Sequence, residues 1–139
     1  MQAQPVKKAS EESPARQASV FISYGSHALL KPLVALITDC GSFTVAGHSH
    51  DALESISMMK ALRPDVLLCE LHLASGIAID VIRTAHQYRL ARVLFVLAGY
   101  TSPRMKDLIE KQTGALVLDP AYDCGRICKA IHDALANRT

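Results

Sequence analysis

Few residues of this chain have types and spacings that could support chemistry. Glu70 closes the apolar run Leu67-Leu68-Cys69, and a break follows at Ser75-Gly76. Ser26-His27 could in principle supply a nucleophile and its base. His48 and His50 have a spacing that can hold a metal ion, and Cys124, Cys128 and His132 recur at i, i+4 and i+8. Each has a plainer reading. Side chains adjacent in sequence rarely face each other, and no carboxylate is evident to orient the histidine, so a hydrolase is not expected. Two histidines fall short of the three or four ligands of a zinc-type site. Cysteine is among the most buried residue types, and Ile127, Ile131 and Leu135 occupy the adjoining helix face, so core packing is the expectation for Cys124, Cys128 and His132. The stretch Tyr24-Gly25-Ser26-His27 lacks the spacing of a phosphate-binding loop.

The remaining question is what positions these groups. The chain has 139 residues, half of them hydrophobic and a fifth charged, with a formal net charge of +2. That is one domain able to bury a substantial core. So small a charge, with no basic block beyond Lys7-Lys8, argues against a nucleic-acid partner. Residues 1–18 hold no periodic apolar positions and read as a disordered leader, which leaves 19–139 as the folded domain. No apolar stretch reaches the ~20 residues of a membrane span. With no apolar central region near Met1 and four cysteines in segments that look buried, the chain reads as a soluble cytoplasmic protein with free thiols.

Hydrophobic periodicity predicts strands at 20–24, 43–47, 65–71, 92–99 and 115–118. Between them helical spacing predicts a first helix carrying Leu29, Leu33 and Ile37, then helices over 51–62, 76–88, 102–112 and 123–136. Leu53, Ile56, Met59 and Leu62 are assigned to the inner face of the second helix. Ser102 is a good N-cap with Pro103 in the first helical position, and Pro32 is read as tolerable near the start of its helix. Five strands alternating with five helices imply a doubly wound parallel sheet of the flavodoxin type, (βα)5, strand order 2-1-3-4-5. Runs such as VLFVL suit strands buried on both faces. Ligands of such sheets bind beyond the strands' carboxyl ends. Those ends are Tyr24 to His27, Glu70, Ala98-Gly99 and Asp119-Pro120. Glu70 is therefore placed at the mouth of the central strand and not in the core.

Three segments together, FISYGSH (21–27), RPDVLLCELHLASG (63–76) and TGALVLDP (113–120), resemble the first, third and fifth strands of the receiver domains of two-component response regulators. The resemblance spans Val20 to Asn137. It implies phosphoryl transfer from a kinase histidine to an aspartate, an acid pair and that aspartate holding Mg²⁺, and a hydroxyl residue and a lysine contacting the phosphoryl group. It also implies a Lys-Pro peptide that can be cis, here Asp119-Pro120. Position by position this chain departs from the pattern. The acid pair falls on Gly25 and Ser26, the phosphoacceptor on Glu70, the hydroxyl on Ala98, the lysine on Asp119, and an aromatic switch residue on Leu116.

Without an acid pair and a lysine, neither Mg²⁺ nor the charge on a transferring phosphoryl group is well compensated. The expectation is thus a degenerate receiver, without enzymatic activity, cofactor or resident metal. It would act in two-component or phosphorelay signalling through phosphorylation-independent protein contacts. Its partner would be a sensor kinase, another regulator or a second copy, with neither nucleic acid nor membrane contacted directly. In the resembling family the face built by the fourth helix, fifth strand and fifth helix commonly contacts partners, which singles out Arg104, Lys106, Lys111, Arg126 and Lys129. No output segment is expected after Thr139. Two alternatives stand beside this reading: an active phosphorelay receiver using Glu70 as an unusual acceptor, and a small-ligand module at the crevice beside Gly25, Ala98 and Gly99.

Overall fold

The computed structural model describes residues 17–73, 76–99, 101–119 and 124–137. Most of the expected leader lies outside these residues, as does the Asp119-Pro120 peptide. Five parallel strands form the central sheet: β1 (Ala18–Ser23), β2 (Phe43–Ser49), β3 (Val66–Glu70), β6 (Val93–Leu97) and β7 (Leu116–Leu118). Their spatial order is β2-β1-β3-β6-β7, so counted within the sheet it is the 2-1-3-4-5 expected of a flavodoxin-like fold. A second, two-stranded antiparallel element pairs β4 (His72–Leu73) with β5 (Gly76–Ile77).

Alternation along the strands explains the two layers of helices. One set of side chains, including Val20, Ile22, Leu68 and Phe95, packs with Leu33 and Ile37 of α1 (His27–Asp39) and with Ile127 and Ile131 of α5 (Ile127–Asn137). The alternate set, Phe21, Leu67, Cys69 and Val96, packs with Met59 of α2 (Ala52–Leu62), Val81 and Ile82 of α3 (Ile79–Gln87) and Ile109 of α4 (Pro103–Thr113). β3 and β6 carry almost uninterrupted buried residues because both faces are covered.

Local signals account for the helix ends. Asp51 caps α2 by accepting from the Glu54 amide at 2.8 Å, and Ser102 caps α4 by accepting from Met105 at 3.1 Å, with Pro103 in the first turn. Gly114 ends α4 in the left-handed conformation, φ 70°, that a glycine adopts without a Cβ penalty. Pro32 lies inside α1, further in than the sequence suggests.

Four expectations are corrected. On α2, Leu53 and Leu62 are exposed while Ser55 and Met59 are buried. Steps of three residues precess around a helix by about 60° each, so Leu53 and Leu62 end up roughly half a turn apart. The inner face instead follows Ala52, Ser55, Ile56 and Met59. The helix expected from residue 76 starts at Ile79, because Gly76-Ile77 pairs back onto His72-Leu73 and Ala78 donates to the Leu71 carbonyl at 2.8 Å. The last helix starts at Ile127, after a single 3₁₀ turn over Cys124–Arg126. Four free thiols were also expected, yet the structure joins Cys40, at the end of α1, to Cys128 on α5, with Cα atoms 6.3 Å apart. Among the described residues no helix is long and apolar enough to cross a membrane.

Candidate functional site

The C-terminal edge of the sheet gathers the segments singled out from sequence. β1 ends at Ser23, where the buried hydroxyl meets that of Ser55 at 2.8 Å. The Tyr24 amide then donates to the Ser49 carbonyl at 2.9 Å, which holds the β1–α1 loop beside the end of β2. Ser26 is the N-cap of α1, and its carbonyl accepts from the amides of Leu29 and Leu30.

Glu70, the last residue of β3, reaches across to this loop. Its Oε1 accepts the Gly25 amide at 2.6 Å and the Ser26 amide at 3.0 Å. Both donors sit where a helix begins, where orphan N–H groups and the helix dipole favour a negative partner. The position is only half-buried, so the charge keeps some contact with water.

The chain following Glu70 closes over Gly25. A Cβ built on Gly25 would lie 1.8 Å from the His72 carbonyl oxygen and 3.2 Å from the Leu73 Cα. The β4–β5 hairpin thus brings backbone into the space a side chain would need. Leu71, at the hairpin's base, donates to the Leu97 carbonyl at 3.0 Å and so ties it to the end of β6.

The other predicted positions lie nearby in the fold. Ala98 is buried, and its amide donates to the Leu118 carbonyl at 2.9 Å. Thr101 brings a hydroxyl to the same loop but turns it to the Ala98 carbonyl, at 3.4 Å. A Cβ on Gly99 would meet nothing within 4 Å. Asp119 follows β7 and is half-buried. Leu116 is 41% exposed.

Beneath Glu70, the Cys69 thiol is fully buried. Desolvation pushes it up to about 12 from an ordinary 9.0; a hydrogen bond with Ser23 opposes the rise, and the negative charge of Glu70 adds to it. Such a thiol is neutral at physiological pH and is a packing group, not a nucleophile.

Sequence reading did not anticipate an aromatic cluster beside the loop. Tyr24 makes edge contacts with His27, His48 and His50 at centroid distances of 5.1, 5.8 and 5.8 Å, and His27 lies 5.6 Å from His50. The i, i+2 spacing of His48 and His50 hinted at two members; only the β1–β2 pairing reveals the other two. Among the described residues no group of three or more His, Cys, Asp or Glu side chains is arranged to hold a metal ion. His132, assigned to the core with Cys128, is exposed, with its ring tilted against Phe43 at 5.2 Å.

On the outer face, Arg104, Lys106 and Lys111 of α4, Arg126 of the 3₁₀ turn and Lys129 of α5 are all exposed. Lys111 pairs with Asp107 at 3.1 Å and Lys129 with Asp133 at 2.9 Å, each one helical turn apart. Met105, Leu108 and Leu116 add exposed apolar surface on α4 and β7.

No family model matches the sequence, and no curated protein matches it. Solved structures do. The signal receiver domain of NarL from Mycobacterium tuberculosis superposes with a TM-score of 0.79 at 22% identity, covering 89% of this chain and all of that one. The response regulator domain of Thermotoga maritima CheB gives 0.78 at 15% identity, over 87% of this chain and 98% of that chain. A CheY-like receiver domain protein from Methanospirillum hungatei JF-1 gives 0.76 at 14%, over 88% and 97%. The fold is that of the response-regulator receiver domain. At these identities the likeness establishes the architecture alone.

Proposed function

We propose that this chain is a receiver-like signalling module that works by protein–protein contact and has left Asp-phosphate chemistry behind. The observation that carries this reading is the use made of Glu70. Its carboxylate stands where the resemblance puts the phosphoacceptor, and one of its oxygens is engaged by the amides of Gly25 and Ser26.

The residues at this edge also do not fit Mg²⁺. The ion favours near-octahedral oxygen ligation with one or two carboxylates. Gly25 has no side chain and no space for one, Ser26 has a neutral hydroxyl, and Glu70 is turned to backbone donors. Ala98 has no group to contact a phosphoryl oxygen, and Asp119 places a carboxylate where a cation would be required. This edge is therefore suited neither to holding Mg²⁺ nor to stabilising a transferring phosphoryl group.

What remains for signalling is surface. The face of α4, β7 and α5 combines exposed cations, including Arg104, Lys106 and Arg126, with exposed Met105, Leu108 and Leu116. That mixture suits a complementary partner, either a kinase or regulator of a two-component pathway or a second copy.

The test is incubation with acetyl phosphate and Mg²⁺ followed by intact-mass measurement and by titration of Mg²⁺ against backbone amide signals. The expected outcome is an unmodified mass and no saturable metal shift around Gly25, Ser26 and Glu70. An acid-labile phosphoryl adduct on Glu70 would overturn the proposal and establish an active receiver with an unusual acceptor.

A further inference from the structure

At the opposite edge of the sheet, by the N-terminal ends of β3, β6 and β7, the loops following α2, α3 and α4 enclose a cleft of about 700 Å³. That size lies within the range of small-molecule sites. Its charge is one-sided. Arg63, Arg89 and Arg92 line it against a single carboxylate, Asp65. Asp65 is itself engaged: Oδ2 accepts the Ser19 amide at 2.8 Å and the Ser19 hydroxyl at 3.3 Å, and Oδ1 lies 3.7 Å from the Arg92 guanidinium. It therefore anchors Arg92 at the cleft wall.

The backbone supplies an independent observation. Four described residues adopt a left-handed conformation: Gly41, Gly114, Arg63 (φ 50°) and Arg89 (φ 52°). Helix ends of this kind usually carry glycine, because a Cβ is disfavoured there. Arg63 closes α2 with its amide on the Met59 carbonyl at 2.8 Å, and Arg89 turns the chain after α3. Glycine would serve both turns with less strain. Both departures fall on arginines that line the same cleft. A strained backbone retained at two positions that converge on one pocket points to a use for the side chains.

The third feature is Tyr88. It lines the cleft, is 59% exposed, and has the Lys60 ammonium 5.9 Å from its ring centroid. An exposed ring beside three arginines offers stacking for a planar base and forked donors for phosphate oxygens.

We propose that this cleft binds a phosphate-bearing small molecule of nucleotide size, with Arg63, Arg89 and Arg92 holding the phosphate oxygens and Tyr88 stacking on the base. The site is separate from Glu70 and independent of the signalling role proposed above.

The test is an amide NMR titration of the full chain with ADP and, separately, with inorganic pyrophosphate, at about 0.15 M salt so that diffuse attraction is screened. Saturable shifts are expected at 63–65, 86–92 and 114 with both probes. Arg63→Gly and Arg89→Gly should each weaken binding by about tenfold or more, through loss of charge-assisted hydrogen bonds. Because glycine suits both turns, these variants should melt at an unchanged or higher temperature, which separates lost binding from lost folding. Tyr88→Ala weakening ADP but not pyrophosphate supports a nucleotide. Tyr88→Ala sparing both probes keeps the arginine site but assigns it to a simple polyphosphate and overturns the stacking role. The proposal as a whole fails if neither probe saturates, or if the shifts persist unchanged in the Arg63→Gly/Arg89→Gly double variant.

Discussion

The carbonyl oxygen of His72 occupies the space that any side chain at Gly25 would need: a Cβ there would stand 1.8 Å from it. Gly25 belongs to the loop after β1 and His72 to the hairpin after β3, so this contact locks together the two segments that frame the mouth of the sheet. It also makes the glycine a requirement of packing between backbones, with no left-handed φ involved.

The first prediction concerns that contact. Gly25→Ala should destabilise the fold by about 1–3 kcal/mol, since rigid backbone has to move. Gly99→Ala, at the end of β6 with open space around its Cβ, should be close to neutral. Urea unfolding of the two variants side by side measures the difference. Equal stabilities would mean the hairpin yields freely.

Glu70 gives the second prediction. Glu70→Ala leaves the Gly25 and Ser26 amides without their acceptor and should cost about 1–3 kcal/mol, toward the lower end because water reaches the exposed Ser26 side. Glu70→Gln keeps a carbonyl oxygen of the same reach and should cost less. Hydrogen exchange at both amides should accelerate in Glu70→Ala and stay near wild type in Glu70→Gln.

The buried thiol beneath Glu70 gives a pH dependence. Cys69 ionises near 12 when folded and near its ordinary 9.0 when unfolded. The folded state therefore binds the proton more tightly, and stability falls as pH rises through that interval. The full contribution is present below about pH 9, and its slope reaches at most about 1.4 kcal/mol per pH unit. Subtracting the alkaline profile of Cys69→Ala from that of the wild type isolates this contribution. The same thiol should resist alkylation until the protein unfolds.

A fourth prediction follows from the link between α1 and α5. Cys40 and Cys128 are separated by 88 residues in sequence, and their Cα spacing of 6.3 Å lies within the range of ordinary disulfides. Closing so long a loop should stabilise the oxidised protein by about 2–4 kcal/mol. A reductant should lower the wild-type melting temperature and leave that of Cys128→Ser unchanged.

Much of the architecture is legible in the sequence alone. The runs at β3 and β6 are apolar because both sheet faces are covered, and that same continuity marked them as central strands. Ser102-Pro103 marked the start of α4 through local chemistry alone, whereas its end at Gly114 was not singled out. Reading failed where a choice depended on distant groups. Leu53 and Leu62 are good inward candidates on a helical wheel, yet α2 turns Ser55 inward to meet Ser23, a partner 32 residues away. Gly76-Ile77 suits the start of a helix, but pairing with His72-Leu73 takes it into a hairpin.

Composition, periodicity and turn residues were enough to set the five alternating units, the sheet order and the placing of Glu70 at the strand mouth, because each depends on contacts within a short span or on how many faces of an element are covered. Which groups Glu70 would satisfy, that backbone would fill the space beside Gly25, that Cys40 would meet Cys128, and that three arginines would share one cleft all depend on how separate loops converge. Those outcomes follow from packing between segments dozens of residues apart, and no single segment carries a signal for them.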